Sequence, residues 1–474
     1  MKKNLLLVAG IVLSISILGQ HQELTEKPDI WKDKQLKSEI DSTSLLAAFK
    51  GGTVHGHFRY YFSATDNHGD LTDYYANAGG GGLKFTTANF HGFEMGISGF
   101  YIFNLGSSNL AKPDSTTSQS SRYEVGLFDI ENPENKYDID RLEELFIRFR
   151  KKSHTLSFGK LLVNSPFVNL QDGRMRPSGA EGLWMHLFEK KRFSVEGGFL
   201  YGFSPRSTTR WYRGGESIGV YPTGVNVSGT KSLYQGNVES KGLAVLALHM
   251  NVNQNVSIHL WDFAIENVLN TVFLESLFKQ KDAKGNMYSI GLQLFRQDAI
   301  GEAGNSNPDL AYTLKSSGSA GLSARVSRKW KTVEWDLNYT RISKEGRYLF
   351  PREWGRDPFY TFLPRERNEG FGDVHAANTR ISYKKQNSSL KTSMAFGYYD
   401  LPDVKNVALN KYGVPSYFQM NVEFRYTFKG FLQGLEAQVL VVGKKSASNT
   451  YDNEKYVFNK VDMLHYNLVL NYHF

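Results

Sequence analysis

The chain has 474 residues, a formal net charge of +9, no cysteine, and 14% aromatic residues, with 26 Tyr and 32 Phe among them. The lack of cysteine excludes a disulfide framework, a thiolate nucleophile, a cysteine metal site and a lipid-modified N-terminus. Mean hydropathy is -0.41, and after the first turns of chain no apolar run approaches the roughly 18 to 20 residues of a helical membrane span.

At the N-terminus, Met1-Lys2-Lys3 precedes the apolar run Leu5 to Leu18 and then Gly19-Gln20. This charged, apolar, small-residue order predicts a cleaved export signal over residues 1–20, cut near Gly19 or Gln20. Losing Lys2 and Lys3 lowers the net charge from +9 to +7; outside the cell, that excess argues for a basic interior rather than a nucleic-acid surface. Residues 21–50 read as a polar periplasmic leader whose apolar patch, Leu45 to Phe49, supports one or two helical turns. Residues 51–474 carry period-two alternation. Strand candidates begin near Thr53, Asp73, His91, Arg141, Ser153, Glu181, Arg192, Val238 and Gln254. Further ones begin near Leu269, Asn286, Ser317, Lys331, Asp373, Ser388, Ser416, Phe431 and Met463. The segment Asn267 to Phe278 also reads as a helix, which would leave sixteen strands rather than eighteen.

The alternation is clearest where Phe418, Met420, Val422, Phe424 and Tyr426 share one side and Gln419, Asn421, Glu423, Arg425 and Thr427 the other. Val333, Trp335, Leu337 and Tyr339 alternate in the same way with Glu334, Asp336, Asn338 and Thr340. In the last strand Tyr466, Leu468, Leu470, Tyr472 and Phe474 form one face, with Val469 the lapse on the other. Short joints (Asn89-Phe90, Lys151-Lys152, Lys190-Lys191, Gln386-Asn387) alternate with long connections such as 105–140, 161–180, 204–236 and 344–372. Short turns on one rim, long loops on the other and a terminal aromatic predict an all-β, transmembrane antiparallel barrel of about 18 strands. Alternating lumen and lipid faces cancel any average hydropathy, so the low mean value does not argue against a membrane.

Three local motifs are weak. Gly79 to Gly82 lacks the Lys-Ser/Thr that a phosphate loop needs, and glycines on a strand where a loop or leader packs closely are the better reading. Gly215-Glu216-Ser217-Ile218-Gly219 matches a nucleophile elbow in letters but lacks the helix that must follow. A barrel enzyme would have to pair Ser217 with His375 or His186. His55 and His57 face one way on the first strand but have no defined third metal ligand.

A stronger constellation follows from the barrel itself. If apolar residues face lipid, the lumen receives Arg59, Arg148, Arg150, Arg325, Arg380, Lys391 and Arg425. A guanidinium on the lipid face would cost a few kcal/mol near the midplane. At several depths these cations would form a ladder of weak anion sites, and an arginine fork suits a carboxylate. The alternative is that they pair with Glu423, Glu334, Asp336, Glu144 and Glu436 to line an unselective wall.

Residues 164–178, with Pro166-Phe167 and Gly173-Arg174-Met175-Arg176-Pro177, running into Glu181-Gly182-Leu183-Trp184, resemble the third-loop segment of the OprD family of outer-membrane porins. Residues 350–370, with Pro351-Arg352-Glu353-Trp354-Gly355-Arg356-Asp357-Pro358, resemble that family's seventh-loop segment. Tyr137 to Leu145 and Gly79 to Phe85 also fit. The resemblance implies an 18-stranded channel, monomeric or loosely trimeric, whose third and seventh loops (about 161–180 and 344–372) fold inward. It implies facilitated diffusion of small carboxylate-bearing solutes, amino acids among them, along a basic ladder. Asp172, Arg174 and Arg176 would come from the third loop and Arg352, Arg356 and Asp357 from the seventh. The implied partners are outer-membrane lipid and lipopolysaccharide, the barrel-assembly machinery through Phe474, and the solute; no cofactor is expected. A non-conducting surface or adhesion barrel is a further alternative. The leader and the long second loop through Ser115 to Ser121 depart from the family pattern, and the leader could cover the periplasmic exit.

Overall fold

A computed structural model of the chain describes residues 30–32, 42–171, 173–189, 191–365 and 367–474; the predicted signal lies outside them. Ser44 caps a short helix, α1 (Leu45–Lys50), by accepting the Ala47 N–H at 3.1 Å. The barrel opens with β1 (Thr53–Asp66), β2 (Tyr74–Thr86), β3 (Phe93–Ser107), β4 (Ile139–Lys151), β5 (His154–Leu161) and β6 (Gly179–Leu187). It continues through β7 (Phe193–Ser204), β8 (Leu243–Asn251), β9 (Val256–Ile265), β10 (Leu269–Lys281), β11 (Met287–Ala299) and β12 (Gly318–Lys329). It ends with β13 (Val333–Ile342), β14 (Val374–Tyr383), β15 (Leu390–Asp400), β16 (Tyr417–Thr427), β17 (Leu435–Ser446) and β18 (Met463–His473). A two-residue strand, Tyr212–Arg213, merely extends the β7 edge into the fourth loop.

Each strand pairs antiparallel with its chain neighbours, and β1 pairs with β18 from His57↔His473 to Asp66↔Leu464, so the sheet closes on itself. Closure removes both edges and gives every strand a ladder on each side, the condition for crossing lipid without helices. The ambiguous segment is strand: Leu269 to Phe278 is laddered on both sides, to β9 and β11. At the seam the Phe474 ring lies over Gly56, whose backbone N–H donates to the Phe474 carbonyl at 3.0 Å.

The outer face carries aliphatic residues such as Ile147, Leu248, Leu292, Leu337 and Met394 between two sets of exposed aromatics. Phe58, Phe93, Tyr288, Tyr426 and Tyr472 sit toward the short turns; Tyr75, Tyr101, Tyr339, Tyr398 and Phe418 sit toward the long loops. This is the girdle arrangement that aromatic rings favour at the two lipid boundaries. The long-loop rim has one exception: the fifth loop, residues 266–268, is only a tight turn.

The core of the molecule lies inside the barrel. Phe167 of the third loop packs on Phe350 of the seventh (centroids 4.8 Å apart), Phe263 and Phe273, and Trp354 stacks on Phe203 at 4.1 Å. The glycine run of β2 makes room on this inner side, because a Cβ at Gly80 or Gly82 would strike the buried Phe100 ring at 2.5 or 2.7 Å. Its role is close packing, with no phosphate cradle.

Candidate functional site

The third loop (162–178) and the seventh loop (343–373) are buried within the barrel and bonded to each other. Asn169 is the main link. Its side-chain amide donates to the carbonyls of Arg356 and Pro166, each at 2.9 Å, and its Oδ1 accepts the Arg356 N–H at 3.1 Å. Ser178 donates to the Glu353 carbonyl at 2.7 Å. The Glu353 carboxylate accepts the Gly219 and Tyr221 N–H groups of the fourth loop at 3.0 and 2.9 Å; burial nonetheless raises its pKa. The second loop joins in, with Tyr123 donating to the Arg365 carbonyl at 3.0 Å.

One group of sequence-predicted cations ties the third loop to the wall. Arg59 faces inward from β1; its Nη1 donates to the Arg174 and Met175 carbonyls at 2.6 and 3.1 Å and its Nε to Asn471 at 2.7 Å. Arg174 sits in the left-handed region, φ 48°, where the loop turns to meet that donor. Arg176 pairs with Glu143 through Nε at 2.6 Å and again through Nη2, and its Nη1 lies 2.8 Å from His57 Nδ1. Arginine can only donate, so His57 Nδ1 accepts and its Nε2–H faces Asn471. His57 is thus occupied by a cation neighbour, which disfavours a metal ion there. Among the described residues no cluster of metal-ligating side chains occurs.

A second group forms a continuous band on the inner face of β12 to β16. Arg325 donates to Asn338 at 2.8 Å and lies under the Tyr360 ring of the seventh loop at 4.5 Å. Arg380 stands opposite Asp336 in the β13/β14 register, and Lys391 opposite Arg425 in the β15/β16 register. Arg425 bonds Glu423 at 2.8 Å. Arg380, Lys391, Arg425, Ser382 and Ser393 line a recess of about 50 Å³ roofed by Phe362, Leu363 and Pro364.

The remaining candidates are dispersed. Arg148 bonds Ser157 at 3.0 Å and, with Arg150, approaches Glu94 near the short-turn rim at 3.8 and 3.7 Å. Arg352 lies 3.6 Å from Glu369 and Arg356 caps the Phe362 ring at 4.0 Å. Asp357 accepts the Asn368 and Glu369 N–H groups at 2.6 and 3.2 Å, closing the seventh loop on itself. Burial raises its carboxyl to about 6. Asp172 lies outside the described residues.

Sequence reasoning missed Arg141 and Glu143. Arg141 holds the Pro177 carbonyl at 2.6 Å and Glu143 at 3.1 Å. Their inward spacing around Leu142 is legible, but a register shift between Ser98 and Gly99 leaves Glu143 as an extra, unpaired residue in β4. Nothing in the letters signals that bulge. The letters also suggested a nucleophile that the structure does not support. Ser217 is fully buried in a 3-10 turn, donating to the Gly214 carbonyl at 2.7 Å and accepting the Trp354 indole N–H at 2.8 Å. Its two proposed partners are elsewhere, His375 bonded to Tyr339 and His186 beside Glu196.

The family model for outer membrane porins of the OprD family matches residues 50–353. No curated protein is significantly similar to the chain. Among solved structures, OccK9 (OpdG) of Pseudomonas aeruginosa aligns over 90% of this chain and 99% of its own, with TM-score 0.71 at 15% identity. OccAB4 of Acinetobacter baumannii aligns over 89% and 98%, TM-score 0.68 at 15% identity. OpdK of Pseudomonas aeruginosa, in its structure with vanillate, aligns over 90% and 99%, TM-score 0.65 at 16% identity. With a closed 18-stranded barrel, inward loops and a family match over more than half its length, the chain belongs to the OprD family of outer membrane porins, passing small solutes and catalysing no reaction.

Proposed function

We propose that this porin prefers small carboxylate-bearing solutes, such as amino acids and organic acids, and passes them by facilitated diffusion. The band Arg325, Arg380, Lys391 and Arg425 under the seventh loop carries this reading. Four cations on five adjacent strands, with Asp336 and Glu423 among them, leave a local excess of positive charge. Successive sites of that kind replace an anion's hydration without trapping it. Arg380 sits four residues further from the short turns than Lys391, so an anion leaving one meets the next. Vanillate, itself a carboxylate, accompanies OpdK in its crystal structure. In this reading Arg59, Arg174 and Arg176 shape the constriction, and Arg352, Arg356 and Asp357 of the seventh loop complete it. The chain reaches the outer membrane after cleavage near Gly19 or Gln20, and the assembly machinery engages the strand ending in Phe474. Lipopolysaccharide then surrounds the outer rim.

The test is ion selectivity in a planar bilayer. Arg380→Gln with Arg425→Gln should shift the reversal potential toward cations and weaken block by added carboxylates. An unchanged selectivity would remove the ladder and leave the barrel intact. A protein that inserts and never conducts would favour a closed surface barrel, a reading that the third and seventh loops packed in the lumen also support.

A further inference from the structure

One side chain inside the lumen comes from outside the barrel sequence. Trp31 lies 22 residues before the first strand residue, Thr53, yet is only 2% exposed. Its ring faces the Arg176 guanidinium at 4.6 Å and meets the His57 ring edge-on, centroids 6.4 Å apart. Lys32 pairs with Glu436 of β17 at 2.9 Å, and Ile30 packs against the buried core. The three residues therefore bridge the closing seam and the third loop, because Arg176 also holds Glu143.

We propose that Ile30–Lys32 is a displaceable plug, a segment of this chain that narrows the periplasmic half of the lumen and must withdraw for full conduction. The proposal rests on the porin reading. The manner of attachment is the argument. Every strand is fixed by a ladder on both sides, whereas among the described residues no backbone–backbone hydrogen bond joins 30–32 to the sheet. The segment is held by an ion pair, a cation–π contact, ring edges and apolar packing. The two electrostatic contacts weaken as ions enter the lumen. The buried indole N–H has no hydrogen-bond partner, so no hydrogen bond of its own fixes the ring in its seat. Lys32 takes the left-handed backbone conformation, φ 53°, which a non-glycine residue adopts at a cost. The positive charge of Lys32 makes the position of the segment sensitive to voltage.

The experiment compares single-channel conductance of the full exported chain with that of Trp31→Ala and Trp31→Phe in planar bilayers. The alanine variant should conduct at least twofold more and lose brief closures; the phenylalanine variant should return toward the parent. Because the chain has no cysteine, the pair Lys32→Cys and Glu436→Cys can be bridged uniquely by a short bismaleimide. Bridging should hold the plug in place and lower conductance below that of the unbridged pair, which decides the matter even if Trp31→Ala fails to assemble. Equal conductance in parent, Trp31→Ala and bridged forms would overturn the plug while leaving the porin. Insertion without conduction in every form would overturn the porin reading itself.

Discussion

Replacing Glu143 with glutamine should loosen the third loop before it harms the barrel. Glu143 is 1% exposed and is the acceptor shared by Arg141 and Arg176. Glutamine keeps the volume but removes the charge and turns an amide donor toward two guanidiniums that can only donate. Breaking a buried pair by removing one partner costs about 3–5 kcal/mol. Arg141 keeps the Pro177 carbonyl, and Arg176 keeps His57 and Trp31, so the lower figure is appropriate. About 3 kcal/mol is roughly two decades in the local opening equilibrium. Hydrogen exchange followed by mass spectrometry on the peptide 164–178 should therefore quicken about 100-fold, with peptides from β11 and β12 unchanged. A change below about threefold would mean that Glu143 does not hold the loop. Exchange that quickens equally in all strands would mean that it holds the barrel instead.

Two further outcomes follow from the loop and from the seam. Asp357 has its carboxyl raised to about 6 by burial, helped by the nearby Glu369 charge. The native state therefore binds this proton more tightly than the unfolded chain. The associated stability is full below the ordinary value near 3.8 and is lost as pH rises through about 6, a span worth at most about 3 kcal/mol. Denaturant midpoints of the parent should fall across pH 4–6.5 relative to those of Asp357→Asn, and parallel curves would contradict this. At the seam, a Cβ at Gly56 would stand 2.0 Å from the Phe474 ring. Valine otherwise suits a strand, so any loss in Gly56→Val reports that clash. The fraction with folded, heat-modifiable gel mobility should drop several-fold, and undiminished assembly would refute the packing of the terminal ring.

The alternation in β16 and β13 was readable because a barrel wall has two chemically opposite faces and a side-chain period of two, so each letter reports its own side. The same rule turned Arg380, Lys391 and Arg425 inward, and it explains why Val469 could lapse: it is 1% exposed, an apolar residue inside the barrel. The helix reading of Asn267 to Phe278 persisted in the sequence because local apolar spacing cannot report the ladders on either side that make it β10. The sequence by itself thus determined the fold class, the strand count, the loop rhythm and the inward cations, all properties of one strand and its two faces, although the strands placed near Val238 and Phe431 begin at Leu243 and Leu435. Only the tertiary structure decided which cations clamp a loop and which line a recess. It also joined Asn169 to Arg356 and brought Trp31 beside Arg176, because these contacts link residues far apart in the chain across a lumen whose filling no local pattern encodes.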